Sequence, residues 1–168
     1  MTFPRDIALS FTGHRTYRDR AATALEEVVE RFYARGFRIF LNGMAVGFDL
    51  AAAEAVLHCR ARRPDIRLVA VIPFEGQETT FSEEDRRRYR QVRAAADEVV
   101  VLAPAYRRGC YAVRNDFLVD CAGAVVAWYD GSPGGTRYTW RRALRCGLEA
   151  VNLCPTPVAD GVGEPTLF

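Results

Sequence analysis

Short, continuous apolar runs alternate with helical patterns along the whole chain, and this alternation limits the folds open to it. The runs are Ile7–Phe11, Phe37–Leu41, Leu68–Ile72, Glu98–Leu102, Ala124–Trp128 and Ala150–Leu153. Several hold Val, Ile and Ala without polar alternation, as strands do when helices cover both sheet faces. Between them lie helical stretches. In Asp19–Arg35, Leu25, Val28, Val29 and Phe32 fall on one stripe, and Gly36 supplies the stop. Asp49–Arg62 is alanine-rich, with Leu50, Ala53 and Leu57 on one face, and ends before Pro64. Ser82 followed by Glu83, Glu84 and Asp85 forms a capped, acidic helix start running on to Ala96. Tyr111–Cys121 and Thr136–Gly147 complete the set.

Strand and helix in strict alternation predict an α/β fold: three layers, Rossmann-like and doubly wound, on a mostly parallel sheet of about six strands. At 168 residues the chain suits a single domain. Residues 1–154 are expected to form it, with 155–168, rich in Pro and Gly, as an extended or mobile tail.

Composition narrows the chemistry. All 23 basic residues are arginine, which removes Schiff-base lysine chemistry and the lysine-bearing phosphate loop. Arginine must then supply any cationic contact to phosphate, and its planar fork suits that task. Five dispersed cysteines without a C-x-x-C pair read as reduced, mostly buried thiols, with Cys110 beside Arg107 and Arg108 as the one candidate reactive thiol. Two histidines and three serines argue against a Ser-His-Asp triad and a histidine-rich metal site, so no metal ligands are assigned. No apolar run approaches a membrane span, and the opening residues lack a signal-peptide core. A cytoplasmic protein without membrane contact is expected. The net charge of +2 by itself gives little support to nucleic acid as a partner, and none is expected.

In an open parallel sheet, ligands bind beyond the carboxyl ends of the strands. The segments at those ends are unusual. They are Thr12-Gly13-His14-Arg15, the stretch from Asn42 through Gly43, Met44 and Gly47 to Asp49, Pro73-Phe74-Glu75-Gly76-Gln77, Tyr106 through Asn115, and Tyr129 through Thr136. The opposite ends carry plain turns such as Arg35-Gly36. Pro133-Gly134-Gly135-Thr136, between a strand and a helix, would offer backbone N–H groups and a hydroxyl to phosphate at a helix N-terminus; a tight turn explains the same residues. Gly43 and Gly47 suit either a second amide cradle or close helix–strand packing. Asp49 suits N-capping and also a ribose hydroxyl. Arg15 would pair with phosphate, and His14 would donate to it or act in acid–base chemistry. Arg114 and Asn115 suit recognition of a base edge or ribose, or an exposed helix face. His58 reads as structural. Trp140, Leu144 and Leu148 read as core. The arginine runs 60–63, 86–90 and 141–145 read as solvated helix faces.

Taken together, Thr12-Gly13-His14-Arg15, Gly43-Met44-Ala45-x-Gly47-x-Asp49, Pro73-Phe74-x-Gly76-Gln77, Arg114-Asn115 and Tyr129-Asp130-Gly131-x-x-Gly134-Gly135-Thr136 resemble, in order, the motifs of the YpsA-like branch of the SLOG superfamily. That superfamily takes in the Lonely Guy phosphoribohydrolases and the DprA/Smf DNA-processing proteins. The resemblance covers about Ile7 to Leu153. It implies a Rossmann-like fold, often homodimeric, that binds nucleotides or their derivatives. For the Lonely Guy enzymes it implies cleavage of a nucleoside monophosphate's N-glycosidic bond through a glutamate in Pro-Gly-Gly-x-Gly-Thr-x-x-Glu. Here Thr136 directly follows Pro133-Gly134-Gly135, and Thr139-Trp140-Arg141 stand where that glutamate would fall. The enzyme's route is therefore not carried over.

The expectation is a phosphate-bearing nucleotide ligand, held without a required cofactor, in a protein acting as a sensor. The binding residues would be Thr12, Gly13, Arg15, Gly43, Met44, Gly47, Pro73, Phe74, Gln77, Arg114, Asn115, Gly131, Gly134, Gly135 and Thr136. The alternative is a nucleotide hydrolase using the same site, with Asp49, Asp130 and His14 in acid–base roles. A DNA-associated protein of DprA type is a second alternative.

Overall fold

The structure is a computed structural model and describes residues 3–18 and 20–155. The apolar runs become six strands: β1 (Ala8–Gly13), β2 (Ile39–Asn42), β3 (Arg67–Ile72), β4 (Glu98–Val101), β5 (Ala124–Trp128) and β6 (Glu149–Asn152). Every pairing is parallel, in the order β4-β3-β2-β1-β5-β6. The helices between them are α1 (Ala22–Ala34), α2 (Phe48–Arg60), α3 (Glu83–Ala95), α4 (Cys110–Asp120) and α5 (Gly135–Arg145). The expected α/β, Rossmann-like architecture is what the chain adopts.

Successive side chains on β1 point to opposite faces. Leu9 and Phe11 enter a core shared with Leu25, Val29 and Phe32 of α1, Phe48 and Val56 of α2, and Tyr89 and Val92 of α3. Ala8 turns to the other face, beside Leu118 of α4 and Cys121 just after it. Ser10 on that face donates its hydroxyl to the Leu118 carbonyl at 2.7 Å. Val125 meets Val119 and Ala143 there, where α4 packs on α5. Three helices thus lie on one face and two on the other.

Local signals account for most boundaries. Ser82 accepts a hydrogen bond from the Asp85 N–H at 3.2 Å and caps α3. Helix α1 begins later than Asp19, because the Tyr17 hydroxyl accepts the Ala21 N–H at 2.9 Å and so organises the entry from outside the helix. Leu144 corrects the expected core. It lies on the outer face of α5 and is 36% exposed, while Trp140 and Leu148 are buried. Cys110 is buried too, which removes the expected reactive thiol; Cys146 is the exposed cysteine among five free ones. His58 sits on the surface of α2, paired with Glu26. Of the expected tail, all but Pro155 lies outside the described residues. No described helix is long and apolar enough to cross a membrane.

The strand order decides where a site can lie. From β1 the chain winds outward through β2 and β3 to β4, then returns through α4 to β5 on the other side of β1. Loops leaving β1 and β5 therefore diverge, and a crevice opens above their ends.

Candidate functional site

A crevice of about 380 Å³ lies at this switch point. Thr12, Gly13, His14 and Arg15 reach it from β1, Ala45 and Asp49 from the β2–α2 turn, Tyr111, Arg114, Asn115 and Leu118 from α4, and Gly134, Gly135 and Thr136 from the start of α5. Four separate chain segments converge there.

Helix α5 supplies amides. Gly134 and Gly135 are exposed and Thr136 is buried at its first turn. An α-helix leaves its first N–H groups without intrahelical acceptors, and its dipole favours an anion there. Thr139 donates its hydroxyl back to the Gly135 carbonyl at 2.9 Å, which tightens this turn without using those N–H groups.

The β2–α2 turn is arranged differently. Asn42 ends β2 with its side chain fully buried; its amide donates to the Asp49 carbonyl at 2.7 Å, and its oxygen accepts the Met44 N–H at 2.9 Å. The Ala45 N–H goes to Asp49 Oδ2 at 3.3 Å, and the Phe48 N–H to the His14 carbonyl at 3.3 Å. The Met44 and Ala45 amides of the Gly43–Gly47 turn are thus engaged within the protein. Gly47 has φ +83, and a Cβ there would meet the His14 and Arg15 carbonyl oxygens at 2.7 and 2.6 Å. Met44 holds φ 63, unusual for a non-glycine residue, with its side chain wholly buried in the core. Met44, Gly43 and Gly47 therefore shape the crevice from behind.

Buried charge dominates the floor. Asp49 is 5% exposed and its Oδ1 has no hydrogen-bond partner among the described residues. Burial pushes its carboxyl up to about 6, against the opposing pull of Arg114, Arg15 and nearby backbone N–H groups. The Arg114 guanidinium is also buried, which depresses its pKa, while Asp49 acts in the other direction. It donates from Nε to Asn115 Oδ1 at 2.8 Å and from Nη1 to the Gly43 carbonyl. Gln77 donates to the same carbonyl at 3.4 Å from beneath. Gln77 is buried and supports Gly43 rather than facing the crevice.

His14 marks the rim. Its Nε2 lies 2.8 Å from Asp130 Oδ1 and 3.2 Å from the Asp130 N. With a proton on Nε2 it donates to the carboxylate; without one it accepts the N–H. The Ser132 hydroxyl and N–H, then His14, hold the Asp130 carboxyl below its ordinary range. Asp130 and Gly131 stand behind His14, off the crevice wall. Pro73 and Phe74 are buried nearby, and Phe74 packs edge-on against Tyr111 at 5.8 Å.

Arg15 is exposed, 5.5 Å from the Tyr111 ring centroid, and Arg114 is 5.7 Å from the same centroid. Among the described residues neither has a carboxylate at ion-pair distance. The arginine runs of the helices do: Arg60 pairs with Asp97, Arg62 and Arg63 with Glu30, Arg88 with Glu54, and Arg142 with Asp116 and Asp120. No group of three or more His, Cys, Asp or Glu suited to a metal occurs among the described residues. Tyr111, Ala45 and the supporting Asn42 fall within the strand-end segments singled out in the sequence but were given no role there. Asn42 stands out there as a polar residue closing an apolar run.

Strand order and crevice position define a doubly wound α/β domain of Rossmann type, its cleft at the switch point. Residues 10–149 match the YpsA model, the YspA SLOG family, and the chain belongs to that family. It is similar to the SPbeta prophage-derived protein YoqJ of Bacillus subtilis, 27% identical over 136 residues that cover 71% of this chain and 75% of that protein. In structure it resembles DNA processing protein A (DprA) of Streptococcus pneumoniae, with a TM-score of 0.64 at 19% identity over 95% of this chain. The same protein of Helicobacter pylori, described for its single-stranded DNA binding mode, gives a TM-score of 0.64 at 13% identity over 88% of this chain. The chain spans 53% and 65% of these two structures, and at such identities the likeness is one of fold.

Proposed function

We propose that the protein holds a phosphate-bearing nucleotide or nucleotide derivative in the switch-point crevice and acts as a sensor of it. One observation carries this reading: the helix start at Gly134, Gly135 and Thr136 lines the same crevice as Arg15, Arg114 and Asp49, whose Oδ1 has no hydrogen-bond partner among the described residues. An anion is favoured at the helix start and beside the arginines, and a hydroxyl donor is favoured at Asp49. Phosphate would lie on α5 with Arg15 beside it, while Asp49 and Asn115 would meet sugar or base. The scheme uses no metal and no organic cofactor. Thermal unfolding with the nucleoside monophosphates and NAD tests it. A ligand at a hundredfold excess over its Kd stabilises by about 2.7 kcal/mol. A flat response to every phosphate compound refutes the reading.

A second reading, hydrolysis of a nucleotide N-glycosidic bond, draws support from the raised pKa of Asp49, which suits a general acid near neutral pH. Release of free base from a nucleoside monophosphate, abolished in Asp49→Asn, is its test.

The Helicobacter pylori protein is described for its binding of single-stranded DNA, which removes the ground for setting nucleic acid aside. Single-stranded DNA therefore belongs in the ligand panel, and an affinity falling steeply with salt would identify it as a partner. Pairing of two copies is part of the same proposal and is decided by light scattering.

A further inference from the structure

Tyr106 is the most exposed large apolar side chain among the described residues, at 65%. It belongs to the loop between β4 and α4 and precedes Arg107 and Arg108. Its ring is nevertheless fixed. It meets Phe74 edge-to-face at 5.5 Å and 80°, and stands 6.3 Å from Tyr111, the aromatic residue of the crevice wall. The loop is anchored at its base, where the Leu102 N–H binds the Ile72 carbonyl at 2.9 Å and the Glu75 N–H binds that of Ala103 at 3.0 Å. An aromatic plane is thereby held open to solvent at the mouth of a cationic crevice.

Arg15, Arg107 and Arg108 have no carboxylate at ion-pair distance among the described residues, whereas Glu75, the acid closest in sequence to Phe74, is bound to Arg93 at 2.7 Å. A single exposed aromatic residue needs no explanation by itself. One braced by two other rings, beside uncompensated arginines and a phosphate-type helix start, matches a ligand with a flat ring at one end and negative charge at the other. Ordering before binding also lowers the entropy lost when a ring stacks on it.

Resting on the nucleotide reading above, we propose that Tyr106 is the stacking platform for the ligand's heterocyclic base, with the phosphate directed inward to the amides of Gly134, Gly135 and Thr136. Tyr106 then discriminates nucleotides from sugar phosphates, although it lies outside the crevice wall.

The test is titration calorimetry of the full chain with adenosine 5′-monophosphate and with ribose 5-phosphate, on the wild type and on Tyr106→Ala, Tyr106→Phe and Tyr106→Trp. Loss of a stacked base weakens binding about ten-fold, at roughly 1.4 kcal/mol for each factor of ten. Tyr106→Ala is expected to lose that factor for the nucleotide and nothing for the sugar phosphate, with Tyr106→Phe close to wild type. In Tyr106→Trp, indole fluorescence should fall on adding the nucleotide and not on adding the sugar phosphate. Equal effects of Tyr106→Ala on both probes, or none on either, overturn the stacking role while leaving the nucleotide reading intact. Binding of neither probe by the wild type overturns both.

Discussion

The buried side-chain amide of Asn42, at the end of β2, donates to the Asp49 carbonyl at 2.7 Å, and its oxygen receives the Met44 N–H at 2.9 Å. One side chain thus closes the turn that carries Asp49 into the crevice and holds Met44 at its positive φ. In Asn42→Ala the Met44 N–H is left buried without an acceptor, at a cost of about 2 kcal/mol. For a chain of this size that amounts to a drop in Tm of roughly 4–8 °C by differential scanning calorimetry. An unchanged Tm would show that the turn stands without Asn42.

Asp49 makes stability depend on pH in a defined direction. Its carboxyl lies at about 6 in the folded chain against an ordinary 3.8, so between those values the folded state binds more protons than the unfolded one. Stability from this group is full at low pH and falls as pH rises through that window, by up to about 3 kcal/mol for a shift of this size. The unfolding free energy of the wild type relative to Asp49→Asn should decline between pH 4 and pH 7. A difference that rises instead would mean that Arg114 holds Asp49 ionised.

Gly47 combines a positive φ with two carbonyl oxygens where a Cβ would sit. Gly47→Ala is expected to destabilise the domain by at least about 2 kcal/mol, from left-handed backbone strain together with the clash. Urea titration measures it. A loss below about 0.5 kcal/mol, the range of an ordinary surface change, would show that the His14–Arg15 loop moves aside freely.

Gly43 is constrained by a side chain. A Cβ there would lie 2.7 Å from Arg114 Nη1, so Gly43→Ala must displace the guanidinium. Affinity for a phosphate ligand should fall about ten-fold, roughly 1.4 kcal/mol. Adding Gly43→Ala to Arg114→Gln should cost little more, because both act through one group. Fully additive losses in calorimetry would show that Gly43 acts independently of Arg114.

Much of the site was legible because its residues fall at strand ends. Thr12, Arg15, Asp49, Arg114, Asn115 and Gly134–Thr136 are far apart in the chain, yet parallel strands carry all of these ends to one edge. What was not legible was which backbone groups remain open. Glycine spacing made the Gly43–Gly47 turn and the Gly134–Gly135 turn look alike. Only the fold shows that Asn42 and Asp49 take up the Met44 and Ala45 amides of the first, whereas the second leaves Gly134 and Gly135 exposed at its helix start. Leu144 misled for a related reason: its spacing matched Trp140 and Leu148, but the edge of α5 leaves that position facing solvent.

The sequence alone determined the architecture, because continuous apolar runs separated by amphipathic stretches can be buried only as a parallel sheet between helices. It also determined the cationic chemistry, since every basic residue is arginine. Tertiary structure decided the rest. The raised pKa of Asp49, the burial of Arg114 and the bracing of Tyr106 by Phe74 and Tyr111 arise between residues distant in the chain, through desolvation and packing that no local pattern encodes.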